Sequence, residues 1–308
     1  MWQFSRLCQT FFLILFLHTS HHVAQPDSSH SILLMIFHPV PDYHMHTPRC
    51  NHAIGSVQEY ADAAMRFGLK EIGMSDHSPM PGDYDKAWRM DRSAMPDYLG
   101  EVERVRDACK GVLDLRVGLE ADFHPGTEGY VKEMIASYPW DYVIGSVHYI
   151  DDWAFDNPDT IDIWEQWNIE QAYCAYFDLV TRSAESRMFD IIGHPDLIKK
   201  FGHRPPENSV RVIKAEERML QAVLASGAAL EISSAGLRKP VGEIYPHKRI
   251  VERAASLGIP FAFGSDAHSP SEVGHGMEMC ISLLTACGVR EIASFKARKR
   301  IMRQITHA

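Results

Sequence analysis

Three histidines fall within nine residues in the stretch Asp42-Tyr43-His44-Met45-His46-Thr47-Pro48-Arg49-Cys50-Asn51-His52. On a strand, side chains two apart share a face, so His44 and His46 can turn both imidazoles toward one ion. His52, beyond a Thr-Pro turn, can reach a neighbouring ion. That is half of a metal site, and the rest of the chain has to supply the other ligands. Candidates stand at the ends of later apolar runs: His77 after Glu71 to Met74, Glu120 after Leu113 to Leu119, His148 after Trp140 to Val147, His194 after Phe189 to Gly193, and Asp266 with His268 after Ile259 to Gly264. Seven histidines and two carboxylates are too many for one ion. Because a carboxylate can bridge metals, the set divides over two or three divalent ions. Mixed imidazole and carboxylate ligation suits Zn, Mn or Fe, and the absence of a thiolate argues against a structural zinc cluster. Such ions lower the pKa of a bridging water to about 7 and hold attacking and leaving oxygens in line, as hydrolysis of a phosphate ester requires. Cationic side chains near the site would neutralise the phosphoryl oxygens. Arg238 and Lys239, just past the run ending at Ser233, are placed for that clamp; Arg49 and Lys199 are weaker candidates.

The elements that must position these residues form a recurring unit, an apolar run followed by a helical pattern. The first run ends at His44 and His46, and Ser56 then caps a helix closing at Gly68. Helical patterns follow at about 98–108, 130–137, 169–186 and 209–226, and two helical segments close the chain after His268. Seven apolar runs alternating with helices imply a parallel sheet, and their spacing suits a barrel better than an open doubly wound sheet. No GxGxxG turn follows the first run, which counts against a dinucleotide fold. In βα barrels the active site lies at the carboxyl ends of the strands. Six of the seven runs here end on His, Glu or Asp, more than chance placement gives.

A formal charge of −9 over 308 residues argues against a dedicated nucleic-acid binder. Six cysteines without a CxxC pair read as reduced thiols of a cytoplasmic enzyme. Residues 1–34 do not match the rest: their apolar core, Leu7 to Leu17, is too short to span a bilayer. They read as sequence upstream of a natural start at Met35, with a secretory signal as the alternative. Residues 35–308 then form a single domain.

Taken together, the HxHTxxCxH run at His44 to His52, Ser75-Asp76-His77-Ser78, Gly118-Leu119-Glu120, Gly145-Ser146-Val147-His148, Gly193-His194-Pro195-Asp196 and Gly264-Ser265-Asp266-Ala267-His268 resemble the PHP family of polymerase and histidinol phosphatase domains. Ser234-Ala235-Gly236-Leu237-Arg238-Lys239-Pro240 brings the chain nearest to the monofunctional histidinol-phosphatases. The resemblance implies a distorted (β/α)7 TIM-like barrel, a trinuclear centre and hydrolysis of L-histidinol phosphate, a step of histidine biosynthesis. It implies one metal on His44, His46 and Asp266, with Glu120 bridging to a second on His77 and His148. The third falls to His52, His194 and His268, and Arg238 binds the substrate phosphate. Glu120, Asp266 and Arg238 carry the catalytic roles. Arg49 and Asn51 stand where the family pattern has small or apolar residues.

Two other readings share these residues. A hydrolase of other specificity, such as a nuclease or an amidohydrolase, would use the same mouth, although amidohydrolases bridge their metals with a carboxylated Lys where this chain offers Glu120 and His148. A non-catalytic PHP module would be expected to have lost ligands, and none is missing. His124, His203, His247 and His275 read as loop residues outside the site, the stretch Trp153 to Trp167 as a packing lid, and Lys296 to Arg300 as a solvated face of the last helix. No nucleic-acid or membrane partner is expected.

Overall fold

The computed structural model describes residues 40–305, which fall within one compact unit, Ile36–Ala308. The reading of residues 1–34 lies outside the described residues. The chain runs α1 (Val57–Phe67), β1 (Glu71–Met74), α2 (Met95–Ala108), β2 (Asp114–Asp122), α3 (Glu128–Ser137), β3 (Tyr142–Ser146), a hairpin of β4 (Tyr149–Ile150) and β5 (Trp153–Ala154), and α4 (Ile169–Glu185). It continues with β6 (Ile191–Ile192), α5 (Val210–Ser226), β7 (Ala229–Ser233), α6 (Lys248–Ser256), β8 (Phe261–Gly264), α7 (Met277–Ala286), β9 (Glu291–Lys296) and β10 (Lys299–Gln304).

Strands β1, β2, β3, β6, β7 and β8 form one parallel sheet in that order. Its two edges are joined by the segment Asp42 to His46, which bridges Ile72 on one side and Ala267 on the other. Hydrogen bonds from Gly73 N to Asp42 O (2.8 Å), Ser75 N to Met45 O (2.9 Å) and Ala267 N to His44 O (3.0 Å) complete the closure. The result is a distorted (β/α)7 barrel. The closing segment is irregular: Tyr43 packs with the barrel-interior residues Tyr142, Ile144 and Ala262, while its neighbour His44 pairs with Glu231 of β7.

Local signals explain most boundaries. Ser56 and Glu59 form a reciprocal capping box on α1, and Gly68 ends the helix in the left-handed conformation. Ser209 caps α5, and Gly227 ends it in the same way. The interior of the barrel is filled by Tyr142, whose ring lies where a Cβ at Gly73 or Gly118 would sit, within 2.2 Å in both cases. Glycine at these two strand positions is what lets so large a ring cross the barrel.

The C-terminus departs from the expected pair of helices. Only α7 follows β8; the chain then turns into the antiparallel hairpin β9–β10, with Ala297 and Arg298 at positive φ in the turn. Lys296 to Arg300 is therefore a hairpin turn and not the face of a helix. Arg298 pairs with Asp190 and donates to Met188 O at 2.7 Å. Its partner strand β9 buries Ile292, Ala293, Ser294 and Phe295 without a break, a pattern that helical spacing does not provide. Ala293 and Phe295 pack on Tyr43, Tyr142, Ile191, Ala229 and Ala262 and fill the barrel at the amino ends of its strands.

Candidate metal centre

At the opposite end, the carboxyl ends of the strands bring together all nine donors read from the sequence. His44 and His46 are fully buried, and their Nε2 atoms stand 3.8 and 3.1 Å from Asp266 Oδ1. Glu120 lies at the centre: His77 Nδ1 is 2.8 Å and His44 Nε2 3.3 Å from its Oε2, while His194 Nε2 is 3.0 Å and His148 Nε2 3.6 Å from its Oε1. His52 and His268 approach each other through their Nε2 atoms at 2.9 Å. Ligand atoms of His52, His77 and His268 lie within 4.8 Å of one another, as do those of His44, His46 and Asp266, and of His44, Glu120 and His194.

Whether these residues fit metal ions is decided by their unmatched atoms. His44 Nε2, both ring nitrogens of His46, His194 Nδ1 and Glu120 Oε2 are buried and have no hydrogen-bond partner. Buried polar atoms are normally paired, and leaving one unpaired costs about 1–3 kcal/mol. Lone pairs of imidazole and carboxylate turned to a shared volume are the donor set of divalent cations such as Zn, Mn or Fe. The electrostatics agree. Burial would raise Glu120 and Asp266, but the surrounding histidines hold both well below the usual carboxylate range, so the site keeps its negative charge. Burial disfavours charge on His44, yet Glu231, Glu120 and Asp266 outweigh it and hold its pKa well above the usual value. His52 is pushed down to about 4, first by burial and then by His46.

The family model of the PHP domain matches residues 42–235, and the PHP-associated model matches residues 245–279. The chain belongs to the PHP family. A probable histidinol-phosphatase of Deinococcus radiodurans is 46% identical over 84% of this chain and 97% of its own length. The histidinol-phosphatase of Bacillus subtilis is 28% identical over 77% of this chain and 96% of its own. Among solved structures, the histidinol phosphate phosphatase of Lactococcus lactis, itself complexed with Zn, L-histidinol and phosphate, shares the fold with a TM-score of 0.73 at 22% identity, covering 85% of this chain and 98% of that one.

In this PHP chain the mouth opens into a cavity of about 480 Å³. Its floor is His52, His77, Glu120, His148, His194, Asp266 and His268, and its walls include Trp88, Arg89, Tyr149, Asp156, Lys200, Lys239 and Tyr245. Lys239 is thus among the lining residues. Arg238 is not among the lining residues: it donates to Ser265 O (2.8 Å) and Asp266 O (3.0 Å) and pairs with Glu272 at 3.1 Å. Asp266 has a left-handed backbone, φ 52°, so Arg238 braces the ligand loop from behind. Arg49 pairs with Glu101 and Lys199 with Asp196, both away from the cavity wall. The unexpected Asn51 is accounted for. It takes φ 69°, which Asn tolerates, and its Nδ2 donates to Lys86 O and Arg89 O, tying the histidine loop to the loop that carries Arg89.

Several participants went unread in the sequence. Glu231 accepts from His44 Nδ1 at 2.6 Å and from the backbone N of His194, also at 2.6 Å. It reaches them because Gly264 has no Cβ, which would lie 2.1 Å from the Glu231 carboxylate. Asp122 holds His148 Nδ1 at 2.5 Å and is itself held by Arg89 at 2.9 Å. Arg89, 4% exposed, also approaches His77 Nδ1 at 2.5 Å. Two signals were available: Asp122 sits two residues after Glu120 on the same face of β2, and Glu231 is an acid inside a strand that is otherwise apolar or small. Among the described residues, the four histidines read as loop residues lie outside the cavity lining. His203 stacks on Trp164, His247 caps α6, His124 meets Asp151 O and His275 stands by Arg238.

Proposed function

We propose that the chain hydrolyses L-histidinol phosphate to L-histidinol and phosphate, using two to three divalent ions. The observation that carries this reading is the set of nine donors gathered at the carboxyl ends of the strands, seven of them lining one cavity, in a chain that spans 97% of a relative named a probable histidinol-phosphatase at 46% identity. The geometry favours one change from the ligand partition implied by resemblance. His44, His46 and Asp266 hold one ion, Glu120 with His148 and His194 a second, and His52, His77 and His268 the third, so His77 and His194 exchange places.

Ions held there would supply Lewis acidity toward the phosphoryl oxygens and toward water. The protein's own residues do the rest. Lys239 and Lys200 bring positive charge to the cavity wall for the phosphoryl group, and Arg238 fixes the backbone that presents Asp266. Glu231 and Asp122 set the rings of His44 and His148 through Nδ1, leaving each Nε2 turned to the cluster. A water oxygen adds to phosphorus, the ester P–O bond breaks, and a proton ends on the alcohol oxygen of histidinol. Among the described residues no helix is long and apolar enough to cross a membrane, and five cysteines are free.

The test is phosphate release by the purified protein reconstituted with Mn or Zn, on histidinol phosphate and on a panel of other phosphate esters and oligonucleotides. The expected result is chelator-sensitive turnover with a preference for histidinol phosphate of about a hundredfold, roughly 2.7 kcal/mol of transition-state discrimination. Broad turnover would discard the substrate, and no turnover on any ester would discard the reaction.

A further inference from the structure

The nine donors are not supported alike from behind. His44 Nδ1 meets the Glu231 carboxylate at 2.6 Å, and His148 Nδ1 meets the Asp122 carboxylate at 2.5 Å. His46 Nδ1 faces Asp76 Oδ1 at 3.6 Å, beyond hydrogen-bond distance, and His194 Nδ1 is unpartnered, so each inner subsite has one carboxylate-backed histidine. In the outer group His52 and His268 have no such partner at hydrogen-bond distance. His52 Nδ1 meets the backbone O of Cys50 at 2.8 Å, and His268 Nδ1 meets the backbone O of Asp266 at 3.1 Å, with that residue's carboxylate farther off at 3.5 Å. His77 Nδ1 has the Arg89 guanidinium at 2.5 Å. Glu120 offsets that cation from 2.8 Å, but the same carboxylate also serves His44 and His194.

An ionised partner on the far nitrogen makes an imidazole a stronger electron donor to a metal than a neutral carbonyl does. A fixed guanidinium beside a ligand opposes a second cation by simple repulsion. Solvent acts in the same direction. The side chain of His268 is 22% exposed and His52 is half-buried, whereas His44 is sealed.

We propose that the subsite formed by His52, His77 and His268 binds its divalent cation more weakly than the two inner subsites and exchanges it with solution. The enzyme is thus a firmly held metal pair plus one ion whose presence follows the free metal concentration. The inference rests on the ligand partition proposed above, and it does not depend on the identity of the substrate.

The experiment counts metal and uses no substrate, so its outcome is separable from that of the phosphate-release test. The full chain is loaded with Zn(II) and equilibrated against a series of chelator-buffered free Zn(II) concentrations, and ions per chain are measured by atomic emission. The expected result is two steps, with one ion leaving at a free concentration at least about tenfold above that at which the other two leave. His52→Ala should delete the weak step and keep two tight ions. Glu231→Gln should weaken a tight ion by about 10–100-fold and leave the weak step where it was. Asp122→Asn gives the same reading through His148 if the Glu231 variant does not fold, as judged by circular dichroism. Loss of three ions in a single step, loss of a tight ion in His52→Ala, or a chain that takes only two ions at millimolar Zn(II) would overturn the proposal.

Discussion

The barrel buries charge at both ends, and the two ends treat it differently. At the amino ends of the strands, Glu71 is 5% exposed, and both of its oxygens are matched: Tyr43, Arg116 (2.9 Å) and Ser294 (3.0 Å) serve Oε1, and Arg303 (2.6 Å) serves Oε2. At the carboxyl ends, Glu120 is equally hidden, yet its Oε2, His44 Nε2 and both ring nitrogens of His46 lack hydrogen-bond partners. A buried charge whose bonds close within the protein is part of the scaffold. One whose lone pairs stay unmatched is poised for something that is not protein. Burial alone would not have told the two apart.

The largest expected effect tests that division directly. Glu120→Gln should lower turnover by a hundred- to a thousandfold or more, with the melting temperature nearly unchanged; near-normal turnover would place Glu120 among the scaffold charges. Phe295→Ala, at the other end, should do the reverse. It removes a 2% exposed ring from the floor and should cost about 3–5 kcal/mol in denaturant unfolding, while activity per folded molecule holds. A loss of kcat without a loss of stability would break the comparison.

A smaller effect separates the ends by pH. Burial alone would raise Glu71, but hydrogen bonds from Arg116 and Tyr43 and the charges of Arg116 and Arg303 hold its pKa below the ordinary 4.5. A carboxylate depressed on folding stabilises the protein fully above its unfolded pKa, and that contribution drains away as the pH falls below it. Denaturation midpoints measured from pH 7 downward should therefore fall less steeply in Glu71→Gln than in the wild type below about pH 4.5. Parallel curves would show that Glu71 contributes nothing through linkage. The smallest effect is expected from starting the chain at Met35. Stability should change by less than about 0.5 kcal/mol and turnover not at all, since the PHP match begins at residue 42.

The metal end was the more legible of the two in the sequence. Most of its donors occupy one repeated position, at or just past the carboxyl ends of buried strands, and that position survives as spacing in the chain. The supports behind the donors were harder to read: Glu231 left a trace as an acid inside an otherwise apolar or small strand, but its role rests on a contact with His44, 187 positions away. Arg238 marks the limit of reasoning from position: its loop was placed correctly, but a long side chain can turn to either wall, and here it turned to the backbone of Ser265 and Asp266. The hairpin at 291–304 was missed because Lys and Arg favour helix locally, whereas the decisive fact is tertiary, a hole in the barrel floor that Phe295 fills.

That filled floor also bears on when the protein can finish folding. The barrel closes only when the segment at residues 42–46 meets Ala267, and its interior is complete only when Ala293 and Phe295 arrive. Contacts between the first and the last parts of a chain are slow to form and cannot form early. A nascent chain leaving the ribosome must therefore hold His44 and His46 apart from Glu231 and Asp266 until most of the chain has emerged. The metal centre, whose donors run from His44 to His268, is among the last parts of the molecule to come into being.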